Sequence, residues 1–230
     1  MRGIAHIGVA KALTEYGIKP AVVVGTSVGS LIGAGIAAGM SWQEMKRMAE
    51  AVFWPSLLKG GNLEQFCSRY LPASFAELDL PFAAIATRLP GRRTVILQTG
   101  RLSPAISASC AMRVVRRAVS LNGERLKDGG CTCVLPSCEC RALGAEFIIG
   151  SDVWQVAAFF RGLGINHAHR RARRVYPRHY LQATQSSDLL IQPDIPIKVY
   201  VPGAVSVDHL IAAGEVATRR ALHHIARDPA

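Results

Sequence analysis

Half of the 230 residues are hydrophobic, enough to bury a full core, and a single α/β domain is the default for a chain of this size. Lys and Arg outnumber Asp and Glu 27 to 16, a formal charge of +11, which favours anionic membrane, nucleic acid or acidic ligands, or simply gives a basic solvated face. Six cysteines in so long a chain argue against a disulfide scaffold, and His6 and Lys11 interrupt residues 1–13 where a secretory leader needs an unbroken apolar core, so a cytoplasmic protein is expected.

Residues 3–16 place Ile4, Ile7, Ala10 and Leu13 at helical spacing, and Gly17 and Pro20 stop the helix. A parallel α/β unit puts a strand before such a helix. Met1 leaves no room for one, and the first strand is expected to be missing.

Residues 21–40, AVVVGTSVGSLIGAGIAAGM, read as a short buried strand, a sharp turn and a helix. Gly25-Thr26-Ser27-Val28-Gly29 between strand and helix is the pattern of a nucleophile elbow, which lifts the Ser27 hydroxyl out of the sheet. Gly25 and Gly29 flank a strained turn whose backbone passes close to its neighbours, where a Cβ is expected to clash. Val28 supplies a backbone N–H at a helix N-terminus, where free amides and the helix dipole favour an oxyanion. Two other readings fit the same stretch. It carries no charge from Ala21 to Gln43 and has glycines at 25, 29 and 33, as in a membrane span, although Gly39 and a capping box at Ser41 and Glu44 argue for an early stop. A phosphate-binding loop lacks its Gly-Lys-Ser/Thr ending.

Further along, residues 41–53 and 62–70 read as helices, and residues 81–86 and 94–98 as strands joined by a turn at 89–92. A helix over 103–115 follows, with Pro104 in its first turn. Residues 124–130, ERLKDGG, set an acid before two glycines. Residues 146–152 and 188–194 read as short buried strands, and Val207 to Leu222 carry the apolar stripe of a terminal helix.

These motifs in this order resemble the patatin-like phospholipase family, in particular its compact bacterial members, over most of the chain. Arg2-Gly3 and the helix behind it resemble the end of the family's glycine-rich loop, residues 25–29 its elbow, and Asp128-Gly129-Gly130 the motif of its second catalytic residue. Residues 142–145, the strand with Asp152, and residues 188–194 and 210–215 also look like family features. The resemblance implies a three-layer α/β/α fold with a mostly parallel central sheet, formed by residues 1–230 as one domain. It implies a lipolytic serine acyl hydrolase with a Ser27–Asp128 dyad, an oxyanion hole from the amides of Val28 and Gly3, and no cofactor or metal. The substrate would be a phospholipid or related acyl ester. Gly129 and Gly130 would let the backbone bend so that the acid meets the serine, and a carboxylate held dry there has its pKa raised toward a useful base.

The sequence also departs from the family. Only Arg2-Gly3 of the glycine-rich loop is present, Met112–Arg117 is basic where Pro-Gly and an aromatic are usual, and Arg88 stands where an acid is common. The second reading is therefore a catalytically impaired patatin-like domain that binds lipid or a protein partner.

Three other groupings remain. Cys131, Cys133, Cys138 and Cys140 put four thiols in ten residues, open to zinc, disulfides or inert thiols. Histidines 167, 169, 179, 209, 223 and 224 follow Asp128, in the order of a Ser–Asp–His triad, whereas His6 reads as a packing or hydrogen-bonding residue. Residues 161–178 are the densest basic run; Arg170, Arg171, Arg173 and Arg174 suit either a solvated loop or the anionic surface of a membrane met peripherally. Nucleic acid has no motif behind it beyond charge.

Overall fold

A computed structural model describes residues 2–51, 61–112, 117–154, 178–201 and 203–227. A 3-10 turn at Arg2–Ile4 leads into α1 (Ala5–Glu15), which ends at Gly17 with φ 72°. The stretch open to a membrane reading is instead a four-residue strand, β1 (Val23–Thr26), and a ten-residue helix, α2 (Val28–Ala37). Among the described residues no helix is long and apolar enough to cross a membrane. Helix α3 (Trp42–Glu50) starts at the expected capping box: the Glu44 N–H donates to Ser41 Oγ, and the Ser41 N–H to Glu44 Oε2. Helix α4 (Asn62–Tyr70) follows.

The α/β class expected from the sequence is what the structure has, with a mixed sheet. Strand β2 (Phe82–Leu89) is its axis: apart from the end residues Arg88 and Leu89, every side chain on it is buried. Along one edge it pairs antiparallel with β3 (Arg93–Leu97), reached through the hairpin at residues 89–92. Residues 84 and 85 pair with both β1 and β3, and residues 86–88 with both β3 and β5 (Glu124–Asp128). Strands β1 and β5 therefore share the edge of β2 opposite β3, β1 running parallel over its first half and β5 antiparallel over its second. Their C-terminal ends meet there, Thr26 opposite Ile85 and Asp128 opposite Ala86.

Strand β5 is delivered by a hairpin with β4 (Val119–Leu121), whose turn residues Asn122 and Gly123 have φ 52° and 78°. This Asn-Gly pair is the type I′ turn signal. The helix expected over 103–115 is shorter, α5 (Leu102–Ser109). Behind it the chain turns, because the Ala111 carbonyl accepts the N–H of Asp128 instead of extending the helix. Next come α6 (Ser137–Ala142), β6 (Ile149–Ser151), α7 (Arg178–Gln185), β7 (Leu189–Ile191) and α8 (Val207–Arg227). Strands β6 and β7 pair parallel in a second, two-stranded sheet.

One apolar core gathers α1, α2, α3, α4, α5 and α8 against Phe82 and Ala84 of β2. Gly33 of α2 lies against Phe82 and Val23, where an added Cβ would come 3.1 Å from each side chain. Helices α1 and α8 cross with backbones nearly touching: a Cβ on Gly8 would collide with the Ile211 carbonyl, and one on Gly214 with that of Ala5. Lys11 binds Glu215 at 2.7 Å beside this crossing, and Arg219 reaches back to Glu15.

Inside a helix alanine is favoured over glycine by about 1 kcal/mol, so Gly8→Ala would stabilise α1 in isolation. The collision with Ile211 reverses the sign. Chemical denaturation should show Gly8→Ala less stable by about 2 kcal/mol, whereas Val216→Ala, at an exposed position on α8, should stay within about 0.5 kcal/mol of the parent.

Candidate active site

Ser27 sits between the last residue of β1 and the first of α2 with φ 53° and ψ −129°, a conformation that costs a non-glycine residue about 1–3 kcal/mol. The expected strained turn is present. Gly25 serves it as expected: a Cβ there would come within 2.6 Å of Ser30 Cα in the crossing first turn of α2. Gly29 does not. A Cβ at 29 would meet only the His6 ring, at 3.6 Å from Nε2, an ordinary contact, so the expected clash applies to one flanking glycine of the two.

Val28 opens α2, where first-turn amides have no carbonyl within the helix. Gly3, in the 3-10 turn that starts α1, packs on it so closely that a Cβ would fall 2.6 Å from Val28 Cγ1. The 3-10 turn at Gly3 thus packs on the first residue of α2, directly after Ser27.

Asp128 ends β5 one register position beyond the end of β1. Ser27 Oγ donates to its Oδ2 at 2.8 Å, and the Gly130 N–H donates to Oδ1 at 2.8 Å. Only 7% of Asp128 is exposed, and burial raises its pKa above the ordinary carboxylate value, against the opposing pull of these two hydrogen bonds and of Lys127. The chain leaves β5 in a 3-10 turn at Gly129–Cys131, and neither neighbouring glycine has a positive φ. Gly129 is needed for close approach, because a Cβ there would collide with the Ile85 carbonyl of β2. Gly130 contributes its amide to the acid.

Among the described histidines, none shares a hydrogen bond with Ser27 or Asp128. His6 pairs through Nδ1 with Ser151 Oγ at 2.7 Å, and desolvation lowers its pKa to about 4, so it is neutral at pH 7. His167, His169 and the arginines 170, 171, 173 and 174 lie outside the described residues. None of the six cysteines is in a disulfide, and among the described residues no group of three or more His, Cys, Asp or Glu side chains could hold a metal. Cys133 is buried against Glu139, its Sγ donating at 3.3 Å, and burial pushes its thiol pKa up, away from reactivity. A cavity of about 390 Å³ beyond the Gly129–Cys131 turn is lined by Arg92, Thr94, Cys131, Thr132, Glu139 and His179, and includes neither Ser27 nor Asp128.

Sequence reading gave no role to a second buried acid. Asp152, 2% exposed, accepts from Tyr180 Oη, from Gln192 Nε2 at 2.9 Å and from the Trp154 N–H at 2.7 Å, and burial raises its pKa. The guanidinium of Arg2, one residue before Gly3, draws that pKa the other way and lies 5.0 Å from the centre of the Trp154 ring. The signal was an acid directly at the end of a buried strand.

The raised pKa of Asp128 has a sign. An unfolded aspartate titrates near 3.9, so from about pH 4 upward the folded protein holds the proton more tightly, and stability falls as pH rises through the raised value. Asp128→Asn removes that burden while its amide can accept from Gly130 and donate to Ser27. Urea denaturation should find Asp128→Asn as stable as the parent near pH 4 and more stable at pH 8.

A family model described as patatin-like phospholipase matches residues 1–136. An NTE family protein of Mycobacterium tuberculosis is 32% identical over 161 residues, covering 64% of this chain and 45% of that protein. Lysophospholipase NTE1 of Meyerozyma guilliermondii is 30% identical, covering 67% of this chain and 12% of its own length. Human patatin-like phospholipase domain-containing protein 6 is 29% identical over 66% of this chain and 12% of its own. The chain therefore spans about half the length of the mycobacterial relative and a small part of the other two. With the elbow, the acid and the two glycines all inside the matched segment, which is more than half of the sequence, the chain belongs to the patatin-like phospholipase family.

Proposed function

We propose that the chain is a lipolytic serine acyl hydrolase, one domain over residues 1–230, cleaving fatty-acyl esters of phospholipids or related lipids through Ser27 and Asp128. One observation carries this reading: the Ser27 hydroxyl, on a strained elbow, donates at 2.8 Å to a buried carboxylate. The family supports a lipid ester as substrate, and the name of one relative, lysophospholipase, supports a glycerophospholipid.

Ser27 Oγ attacks the ester carbonyl carbon as its proton passes to Asp128 Oδ2. The carbonyl oxygen takes up the negative charge and is met by the amides of Val28 and Gly3. The tetrahedral intermediate collapses, the alcohol leaves with the proton from Asp128, and an acyl group remains on Ser27. A water then attacks this ester, Asp128 again accepts a proton, and the fatty acid departs as Ser27 is reprotonated. General-base catalysis of this kind contributes about 10²–10⁴-fold and a single oxyanion donor about 10²–10³-fold. Peripheral contact with an anionic membrane through Arg170, Arg171, Arg173 and Arg174 would bring the site to its substrate.

Turnover of p-nitrophenyl butyrate and of lysophosphatidylcholine by the parent, Ser27→Ala and Asp128→Asn tests the assignment. Both variants should lose at least about 10³-fold in kcat, and equal rates in all three proteins would contradict it. In the parent, kcat/KM should fall as pH drops through the raised pKa of Asp128, because the protonated acid cannot take the Ser27 proton. Co-sedimentation with phosphatidylserine vesicles should weaken when the four arginines are changed to glutamate; unchanged binding would remove the membrane contact.

A further inference from the structure

We propose that Ser109 is a positioning residue for the nucleophile: its buried hydroxyl accepts the N–H of Ser27 and holds the serine in the strained backbone from which Oγ reaches Asp128. The inference rests on the reading of Ser27 as nucleophile and adds a residue that neither the elbow nor the Asp-Gly-Gly motif contains.

The torsions of Ser27 are set by the orientation of the two peptide groups around it. Its N–H belongs to the first, which sets φ, and its C=O to the second, which sets ψ. The parallel register with β2 ends at Thr26, so the sheet does not fix the Ser27 amide. Instead that amide donates at 2.9 Å to Ser109 Oγ, 82 residues away at the last position of α5. The C=O is held locally and twice, by the Ser30 N–H at 2.8 Å and by Ser30 Oγ at 2.7 Å. Ser30 and Ser109 are both fully buried. Water cannot replace a lost partner without opening the core, so the N–H depends on a single acceptor while the C=O has two donors.

The same short segment also holds the acid. Two residues beyond Ser109, the Ala111 carbonyl accepts the Asp128 N–H at 3.0 Å. The end of α5 and the turn behind it therefore bind the backbone of both members of the pair, and the distance between Ser27 Oγ and Asp128 is referred to one short segment. In Ser109→Ala the Ser27 amide is left without an acceptor, φ relaxes toward the ordinary negative region, and Oγ swings off Asp128. A displacement of about 1 Å at a reacting atom costs about 10²-fold in rate.

A buried hydroxyl that only stabilised the fold would lower stability and leave the chemistry alone. Ser103 provides that comparison, since it lies on the same helix, is buried, and has its Oγ 3.1 Å from Ser68 Oγ, away from the elbow. The experiment measures kcat and KM for p-nitrophenyl butyrate, and hydrogen–deuterium exchange of the peptide spanning residues 23–30, in the parent, Ser109→Ala, Ser109→Cys, Ser30→Ala and Ser103→Ala. The expected result is a fall in kcat of about 10²-fold in Ser109→Ala and Ser109→Cys with KM within about threefold, together with faster exchange at the Ser27 amide. Ser30→Ala should lose less, because the Ser30 N–H still holds the carbonyl, and Ser103→Ala should match the parent in both readouts. Parent-like kcat and parent-like exchange in folded Ser109→Ala or Ser109→Cys would overturn the proposal, as would a loss of kcat in Ser103→Ala equal to theirs. A parent without turnover would count against the hydrolase reading alone, and the exchange measurement would still decide the role of Ser109.

Discussion

The hydrogen-bond register along one edge of β2 is the constraint on which the site depends. A single edge carries two strands end to end, β1 parallel up to Ile85 and β5 antiparallel from Ala86, so their C-terminal residues arrive at adjacent positions from opposite directions. Strand register moves in whole residues, and a one-residue slip reverses the face of every side chain. The pairing therefore fixes both the distance between Ser27 and Asp128 and the side of the sheet on which they meet. Gly129 belongs to this constraint, because only a residue without a Cβ lets the chain leave β5 so close to the Ile85 carbonyl.

Around that meeting point the protein holds groups in states they would not adopt alone. Ser27 has a positive φ and Asp128 is a carboxylate with little water around it. The elbow needs tight backbone packing at Gly25, and the acid needs the Gly130 amide and the Ser27 hydroxyl to remain tolerable in a buried place. Such strain and desolvation reduce stability, and the broad apolar core beneath α2 and α5 offsets them. The same features make the pair useful, since a carboxylate with a raised affinity for protons is a better base toward an alcohol than a solvated one.

Much of this was legible in the chain because much of it is local. The strand, turn and helix of the elbow follow from an apolar run, a glycine and a small-residue helix within twenty residues, and the Ser41–Glu44 cap follows from two residues three apart. The pairing of Ser27 with Asp128 is not local; it runs through β2, and only the family resemblance pointed to it. Asn122-Gly123 is a short-range signal for the hairpin that delivers Asp128. The helix expected over 103–115 stops at Ser109, because the Ala111 carbonyl is taken by a tertiary bond from the Asp128 N–H. Ser109 itself was invisible, since nothing in a run with Ser103, Ser107 and Ser109 says which hydroxyl faces a strained amide. Gly29 shows the converse, since the clash expected there is absent, while Gly129 and Gly130 act through close approach to Ile85 and through an amide to Asp128.

The most direct test of the central claim, that register and strain together make Ser27 a nucleophile activated by Asp128, is covalent labelling with a fluorophosphonate followed by mass spectrometry of the intact and digested protein. The account predicts one adduct per chain, on Ser27, forming much more slowly in Asp128→Asn. An unmodified Ser27, or labelling of Ser27→Ala at the rate of the parent, would contradict it.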